Sequence, residues 1–299
     1  MIEAKNVTMC FEDFTALDNL SCQIPSGCIY GLVGSNGAGK STFLRLISGI
    51  YRPKGGEILI DGLPVYDNPE AKNKLFFIPD ELYFLPQSTM NKMAAFYRNL
   101  YPSFSMERFH TLTQIFGLNP RSSIQTFSKG MRRQAATILG LSIRPQYLFF
   151  DETFDGLDPV MRNLVKDVIR ADAKDFGTTV IIASHSLREL EDVCDQLSLL
   201  HKGGIVFESQ MSELKTSLFK VQFALSTPYD ESLFAHFDVK KLQKRGAVTE
   251  MIIRGEEATV MEQLRALHPV FLESLPLGLE EVFIYEMEAL GYAFSEVLQ

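Results

Sequence analysis

Gly34-Ser35-Asn36-Gly37-Ala38-Gly39-Lys40-Ser41-Thr42 lies between an apolar run, Ile29 to Val33, and an amphipathic one, Phe43 to Ile47. That order predicts strand, glycine-rich loop and helix, with G-x-x-x-x-G-K-[ST] at the join: a phosphate-binding P-loop. Glycines let backbone N–H groups turn inward and approach a polyphosphate where a Cβ would obstruct. The helix expected to begin near Lys40 adds its positive N-terminal end. Lys40 is placed to reach the terminal phosphates, and the Ser41 hydroxyl to ligate Mg²⁺.

The 299 residues leave room for one large domain or two modest ones. Hydrophobic content of 46% with 22% charged residues fits a globular chain rather than a disordered one. No apolar run reaches the length of a membrane-spanning helix, and residues 1–6 lack the basic-then-apolar pattern of a secretory signal. A cytosolic protein is expected, with any membrane part supplied by another chain. A net charge of −8, with no long Lys/Arg run and only short basic pairs such as Arg132-Arg133, disfavours nucleic acid and anionic lipid as main ligands. Cys10, Cys22, Cys28 and Cys194 show no metal spacing and read as buried, reduced thiols.

Outward from the P-loop, the first 33 residues read as strands broken by turns, with Ile2 to Phe11 the first and Leu20 to Ile24 the second. Phe11 could stack on a purine, although an aromatic in a strand is more often core. Strands are expected at Glu57 to Ile60 and at Leu75 to Ile78, the latter running into Asp80. From Met90 the pattern turns helical, and a second helix is expected from Met106 to Phe116. Residues 82–145 thus read as a helical insertion within an α/β domain. Most of its aromatics, Tyr83, Phe84, Phe96, Tyr97, Tyr101 and Phe104, are expected in the core, with a few left exposed as anchors for a partner.

Tyr147 to Phe150 is a continuous apolar run of the kind a buried parallel strand shows, and it ends in Asp151-Glu152. A carboxylate at such a strand tip can hold Mg²⁺, and its neighbour can deprotonate a water. Val180 to Ala183 is the next strand, closing on Ser184-His185, which makes His185 a candidate γ-phosphate contact. Beyond Ser209 a small α+β appendage is expected, with strands at Phe219 to Leu225, Val239 to Gln243 and Met251 to Arg254, and helices at Val260 to Leu267 and Leu279 to Leu290.

In this order the pieces resemble the nucleotide-binding subunit of ABC transporters over roughly residues 2–210. Phe11 sits at the adenine-stacking aromatic, Gly34 to Thr42 at Walker A, and Phe127 to Gln134 at the signature motif. Tyr147 to Glu152 match Walker B with its catalytic glutamate, Asp155 to Pro159 the D-loop, and His185 the switch histidine. The resemblance implies an α/β P-loop NTPase of ABC type with an N-terminal antiparallel β subdomain, a helical subdomain and the C-terminal α+β appendage. It implies an ABC domain over 1–209 and an accessory domain over 210–299. ATP would contact Phe11, Ser35, Asn36, Gly37, Ala38, Gly39, Lys40, Ser41 and Thr42. Mg²⁺ would be held by Ser41, Asp151 and Asp80, and Glu152 and His185 would be catalytic.

The resemblance further implies a head-to-tail dimer with a second ATPase subunit, identical or different. There Ser128, Lys129, Gly130 and Met131 would reach the partner's ATP, and Asp158 would sense the opposite site. A membrane permease would dock on the helical subdomain, placing the chain at the cytoplasmic face of the membrane. The chain departs from the family where the Q-loop glutamine is Asp80, and where Lys129 and Met131 replace the first glycine and the glutamine of the signature. The Ser-Lys-Gly-Met form resembles Gram-positive exporter ATPases for peptides, antibiotics or small metabolites. The alternative, a soluble ABC ATPase of assembly, repair or translation, fits less well. No sustained heptads separate the Walker motifs, and the chain has one cassette rather than two.

Overall fold

A computed structural model describes residues 1–227, 229–289 and 291. The chain divides into two compact units, one over Met1–Glu208 and a second from Ser209. The first is an α/β cassette of P-loop NTPase type. It opens with β1 (Ile2–Phe11) and β2 (Phe14–Ile24), an antiparallel pair in which Ile2 faces Ile24. Then come β3 (Ile29–Val33), α1 (Lys40–Ile47), β4 (Gly55–Ile60), β5 (Leu63–Pro64), α2 (Pro69–Lys72) and β6 (Leu75–Ile78). The helices α3 (Met90–Leu100), α4 (Met106–Ile115) and α5 (Lys129–Ile143) follow. The unit closes with β7 (Tyr147–Asp151), α6 (Pro159–Phe176), β8 (Thr179–Ser184), α7 (Leu187–Leu190), β9 (Gln196–His201) and β10 (Gly204–Gln210).

Two sheets form. One runs β2-β1-β4-β5, and the other runs β10-β9-β3-β8-β7-β6 with parallel pairing from β9 through β6. Strands β3, β7 and β8 are buried at every position, which is why each reads as an unbroken apolar run. The α1 helix lies against β7 and β8 of one sheet and β2 and β4 of the other. Its Phe43, Leu44, Leu46 and Ile47 join Leu17, Tyr30 and Phe149 in one core. Burying one such side chain contributes roughly 1.5–3 kcal/mol, so the helix that starts at Lys40 is gripped from two sides.

The sequence placed the second strand at Leu20, whereas β2 starts at Phe14. Asn6 and Asn19 take left-handed backbone, φ 50° and 49°, and the β1–β2 register shifts between Ala4 and Met9. These irregularities interrupt the alternation that marks a strand. Of the six aromatics expected mainly in the core of the insertion, only Phe104 is fully buried, and Tyr83 is 75% exposed. The helical face that begins at Met90 does bury Met90, Met93 and Ala94, whereas Tyr83, Phe84 and Tyr97 line a groove beside β6. The thiols also depart in part from expectation: Cys22 and Cys194 are buried, but Cys10 and Cys28 only partly. Burial pushes the Cys22 thiol up to about 12 and that of Cys28 to about 11, which keeps both unreactive at neutral pH.

Arg108 on α4 pairs with Asp172 on α6, which is 3% exposed. Burial raises the Asp172 carboxyl from 3.8 to about 6, against the pull of Arg108. A folded-state value above the unfolded one favours the fold below the unfolded pKa, and that contribution is lost as pH rises through the folded one. The stability of the protein relative to its Asp172→Asn variant is therefore expected to fall between about pH 4 and pH 6 and to level off above. Urea midpoints of the two proteins across that range test it; parallel curves would exclude the effect.

In the second unit, α8 (Met211–Ser217), β11 (Leu218–Ala224), β12 (Asp238–Arg245), β13 (Val248–Arg254), α9 (Glu257–Arg265), β14 (Phe271–Leu275) and α10 (Leu279–Ala289) occur in order. The sheet is antiparallel, β12-β13-β11-β14. Phe219, Val221 and Phe223 pack with Val260, Met261 and Leu264 of α9. From the opposite face Lys220 reaches Glu281 of α10 at 3.0 Å. Leu290, expected at the end of the last helix, lies outside the described residues.

Candidate active site

The P-loop joins β3, central in its sheet, to α1. A Cβ on Gly34 would lie 2.4 Å from the Leu200 carbonyl oxygen, and one on Gly39 (φ 112°) 2.7 Å from that of Ala16. Glycine is thus demanded at both ends of the loop by close backbone approach. No side chain caps α1 at Gly39, so its first N–H groups remain directed at the loop's concavity, the arrangement that suits an anion. Ala38 is buried and closes the loop through its N–H to Ser35 O at 3.2 Å, while Asn36 and Gly37 are exposed. Ser41 and Thr42 are half-buried in the first turn of α1.

Lys40, 5% exposed, donates from Nζ to the carbonyls of Gly34 at 2.6 Å and Ser35 at 3.2 Å. Nζ also stands 3.5 Å from Glu152 Oε1. Burial lowers the Lys40 pKa, while Glu152 and Asp151 pull it back up. Glu152 follows β7 with left-handed backbone (φ 48°), a conformation costing about 1 kcal/mol for a non-glycine residue, and its N–H donates to Ala183 O at 3.0 Å. That turn directs the carboxylate between two partners: Lys40 on one side and His185 on the other, with Nδ1 2.9 Å from Oε2. The chain thus brings three of its predicted residues, Lys40, Glu152 and His185, into one contiguous group.

Asp151 ends β7 fully buried, with neither carboxylate oxygen satisfied by a protein hydrogen bond. Burial pushes its carboxyl up, the nearby Ser41 hydroxyl pulls it down, and the charges of Glu152 and Asp80 add to the rise. A buried, unsatisfied carboxylate beside a hydroxyl is a hard-oxygen donor set that fits Mg²⁺. Among the described residues no three His, Cys, Asp or Glu side chains cluster as a metal site, so phosphate oxygens would complete the coordination.

The remaining predicted residues lie elsewhere. Phe11, 40% exposed, meets Tyr51 edge-on with centroids 5.5 Å apart, leaving an aromatic face at the end of β1. Ser128 caps α5, its Oγ accepting from Met131 N at 3.2 Å. Lys129, expected to reach the partner's ATP, donates to Asp155 Oδ2 at 2.6 Å. A Cβ on Gly130 would stand 2.9 Å from Gly156 O. Asp158 caps α6, accepting from Val160 and Met161 N–H at 3.0 Å each. Asp80, expected to bind metal, has Oδ1 taken up by Arg133 at 2.5 Å. Among the described residues no hydrogen bond or ion pair joins Ser128–Met131 to the P-loop.

Sequence reading overlooked Glu189. It is 8% exposed and accepts from Ser184 Oγ at 2.6 Å, and Ser184 Oγ in turn accepts from Ser186 N at 3.0 Å. The residues on both sides of His185 are thereby fixed to one buried carboxylate. Serines flanking the histidine were the only cue, and nothing in the local pattern linked them to Glu189.

The family profile described as ABC transporter matches residues 17–155. The Streptomyces peucetius daunorubicin/doxorubicin resistance ATP-binding protein DrrA is 30% identical over 223 residues, spanning 73% of this chain and 67% of its own. The Bacillus subtilis ABC transporter ATP-binding protein YtrB is 28% identical over 284 residues, spanning 95% and 97%. The solved structure of an ATP-binding subunit of an ABC transporter superposes with a TM-score of 0.66 at 25% identity, covering 72% of this chain and 92% of the other. A P-loop whose lysine meets the Walker B glutamate, together with these relatives, places the chain in the family of ABC transporter ATP-binding proteins, as an ATP-binding ATPase subunit of a transporter.

Proposed function

We propose that the chain powers an ABC exporter by ATP-driven, head-to-tail pairing beneath a separate permease, on the cytoplasmic face of the membrane. The observation that carries the reading is the Lys40–Glu152–His185 group beside the buried Asp151. Residues 1–209 are assigned as the ABC domain and 210–299 as an accessory domain. The P-loop N–H groups and Lys40 hold the polyphosphate, and Phe11 offers its ring to adenine. Glu152 orients and deprotonates the attacking water, while His185 holds the γ-phosphate. Ser41 and Asp151 would hold Mg²⁺, which when bound neutralises charge on the phosphates.

Pairing with a second subunit is supported by Ser128–Met131, for which no hydrogen bond or ion pair to the chain's own P-loop occurs among the described residues; in this reading they meet the partner's nucleotide. Export is favoured by the Ser-Lys-Gly-Met form and by the drug-resistance relative. The groove beside β6, about 100 Å³ and lined by Phe76, Leu82, Tyr83, Phe84 and Tyr97, supports docking of a permease on the helical subdomain. No helix among the described residues is long and apolar enough to cross a membrane, so the reading requires a second chain for that task.

The test is mild-detergent affinity purification of the full chain from its own cells. A multi-span membrane protein in stoichiometric amount is expected. A ribosomal, nucleic-acid or soluble-assembly partner without one would favour the soluble ATPase instead.

A further inference from the structure

Arg133 is a buried cation in the second turn of α5, its side chain 2% exposed. Nη2 donates to Asp80 Oδ1 at 2.5 Å and stands 3.6 Å from Asp155 Oδ2. Its Nε and Nη1 are buried without a protein acceptor. Asp155 Oδ2 also accepts from Lys129 Nζ, and that hydrogen bond holds the Asp155 carboxyl below its ordinary range. Two carboxylates and two cations therefore alternate across three segments: the end of β6, the first turns of α5, and the loop that follows Glu152.

Those segments matter to one another. β6 and β7 pair in parallel, Ile78 facing Phe150, so Asp80 leaves its strand beside the pair Asp151-Glu152. Ser128 caps α5, which begins at Lys129, and Gly130 packs so near the loop that a Cβ there would stand 2.9 Å from Gly156 O. Arg133 is buried while the Asp80 and Asp155 side chains are 54% and 47% exposed, so loss of Asp80 leaves the guanidinium with only the carboxylate at 3.6 Å, which is unfavourable, and removing Asp80 and Arg133 together is less so. Glutamine, the residue the family resemblance expects at this position, could accept a hydrogen bond here but could not neutralise Arg133. The acidic residue at position 80 and the arginine on α5 are thus complementary.

We propose that Asp80, Arg133 and Asp155 form a charge clamp that holds the start of α5, with Ser128 and Gly130, against the loop bearing Glu152. Asp80 and Arg133 are then positioning residues for turnover, not ligands of nucleotide or metal. The inference rests on the reading above that Ser128–Met131 meet the ATP of a second subunit.

The test compares the full chain with its Asp80→Asn, Arg133→Gln, doubly substituted and Asp80→Glu variants. Steady-state ATPase kinetics and equilibrium binding of a fluorescent ATP analogue are read for each, with circular dichroism to confirm folding. Each single neutralisation is expected to lower kcat about tenfold or more while analogue affinity changes by less than about threefold. The double variant is expected to exceed both singles, and Asp80→Glu, which keeps the charge, to recover to within about threefold of the parent. Additive losses in the double variant would overturn the clamp. A tenfold or larger loss of analogue affinity in Asp80→Asn would also overturn it, returning Asp80 to the nucleotide or metal set. Ser128→Arg with undiminished kcat would instead overturn the reading on which the clamp rests, while leaving the Asp80–Arg133 coupling measurable in the same cycle.

Discussion

Replacing Glu152 by glutamine is expected to lower ATP turnover by about 10³-fold while leaving ATP binding intact. The substitution keeps the side chain's length and its capacity to bond His185, now 2.9 Å away, but removes the proton acceptor. It also removes the charge 3.5 Å from Lys40 Nζ, so the lysine loses a competitor of the phosphates. Affinity should therefore hold or rise while kcat falls. Single-turnover hydrolysis and equilibrium ATP binding measured on the same preparation separate the two effects. A variant that retains more than about a tenth of parental turnover would remove Glu152 from the role of base.

Lys40→Ala is expected to act on the other parameter. The ammonium is nearly sealed from solvent, and its hydrogen bonds to Gly34 O and Ser35 O anchor it beneath the loop. A charge-assisted hydrogen bond to phosphate in such a setting contributes about 3 kcal/mol, which corresponds to roughly a hundredfold in affinity. Isothermal titration with ATP reads this directly, and unchanged affinity would mean that the loop does not hold the phosphates. Truncation also leaves two carbonyls without their donor, so a modest fall in melting temperature is expected alongside. Glu152→Gln carries no such burden, and the pair of variants separates binding from chemistry.

Much of this is legible in the sequence. β3, β7 and β8 are enclosed on both faces, and enclosure leaves a continuous apolar run that sequence displays openly. Their polar endings, the P-loop, Asp151-Glu152 and Ser184-His185, then fall at one edge of one parallel sheet. β14 was missed because Phe271 to Leu275 is an edge strand with alternate positions exposed and a glutamate at its centre. Tyr97 and Tyr101 keep the helical spacing of Met90 and Met93, yet they pack on Phe76 of β6, Tyr97 at the wall of a groove. Periodicity reports which residues share a face, not what covers it.

Within the site, the residues that failed to show in sequence are those that act through pairing at a distance. Arg133 reads as half of a surface Arg-Arg doublet until α5 turns it onto Asp80. Glu189 reads as an ordinary helix-face acid until Ser184 bonds to it. Neither leaves a local pattern, because ion pairs across elements have no period. Asp158 was marked only through the D-loop resemblance, and in the structure its carboxylate also caps α6.

Two chains are proposed to close around ATP, and light scattering on the Glu152→Gln variant of the whole 299-residue chain reads that closure. Without nucleotide the mass should match a single chain of 33.7 kDa. With saturating ATP and Mg²⁺ it should double, and combining Glu152→Gln with Ser128→Arg should return it to one chain although ATP remains bound. A protein that binds ATP with the expected affinity yet stays at the mass of one chain at every concentration would contradict the account.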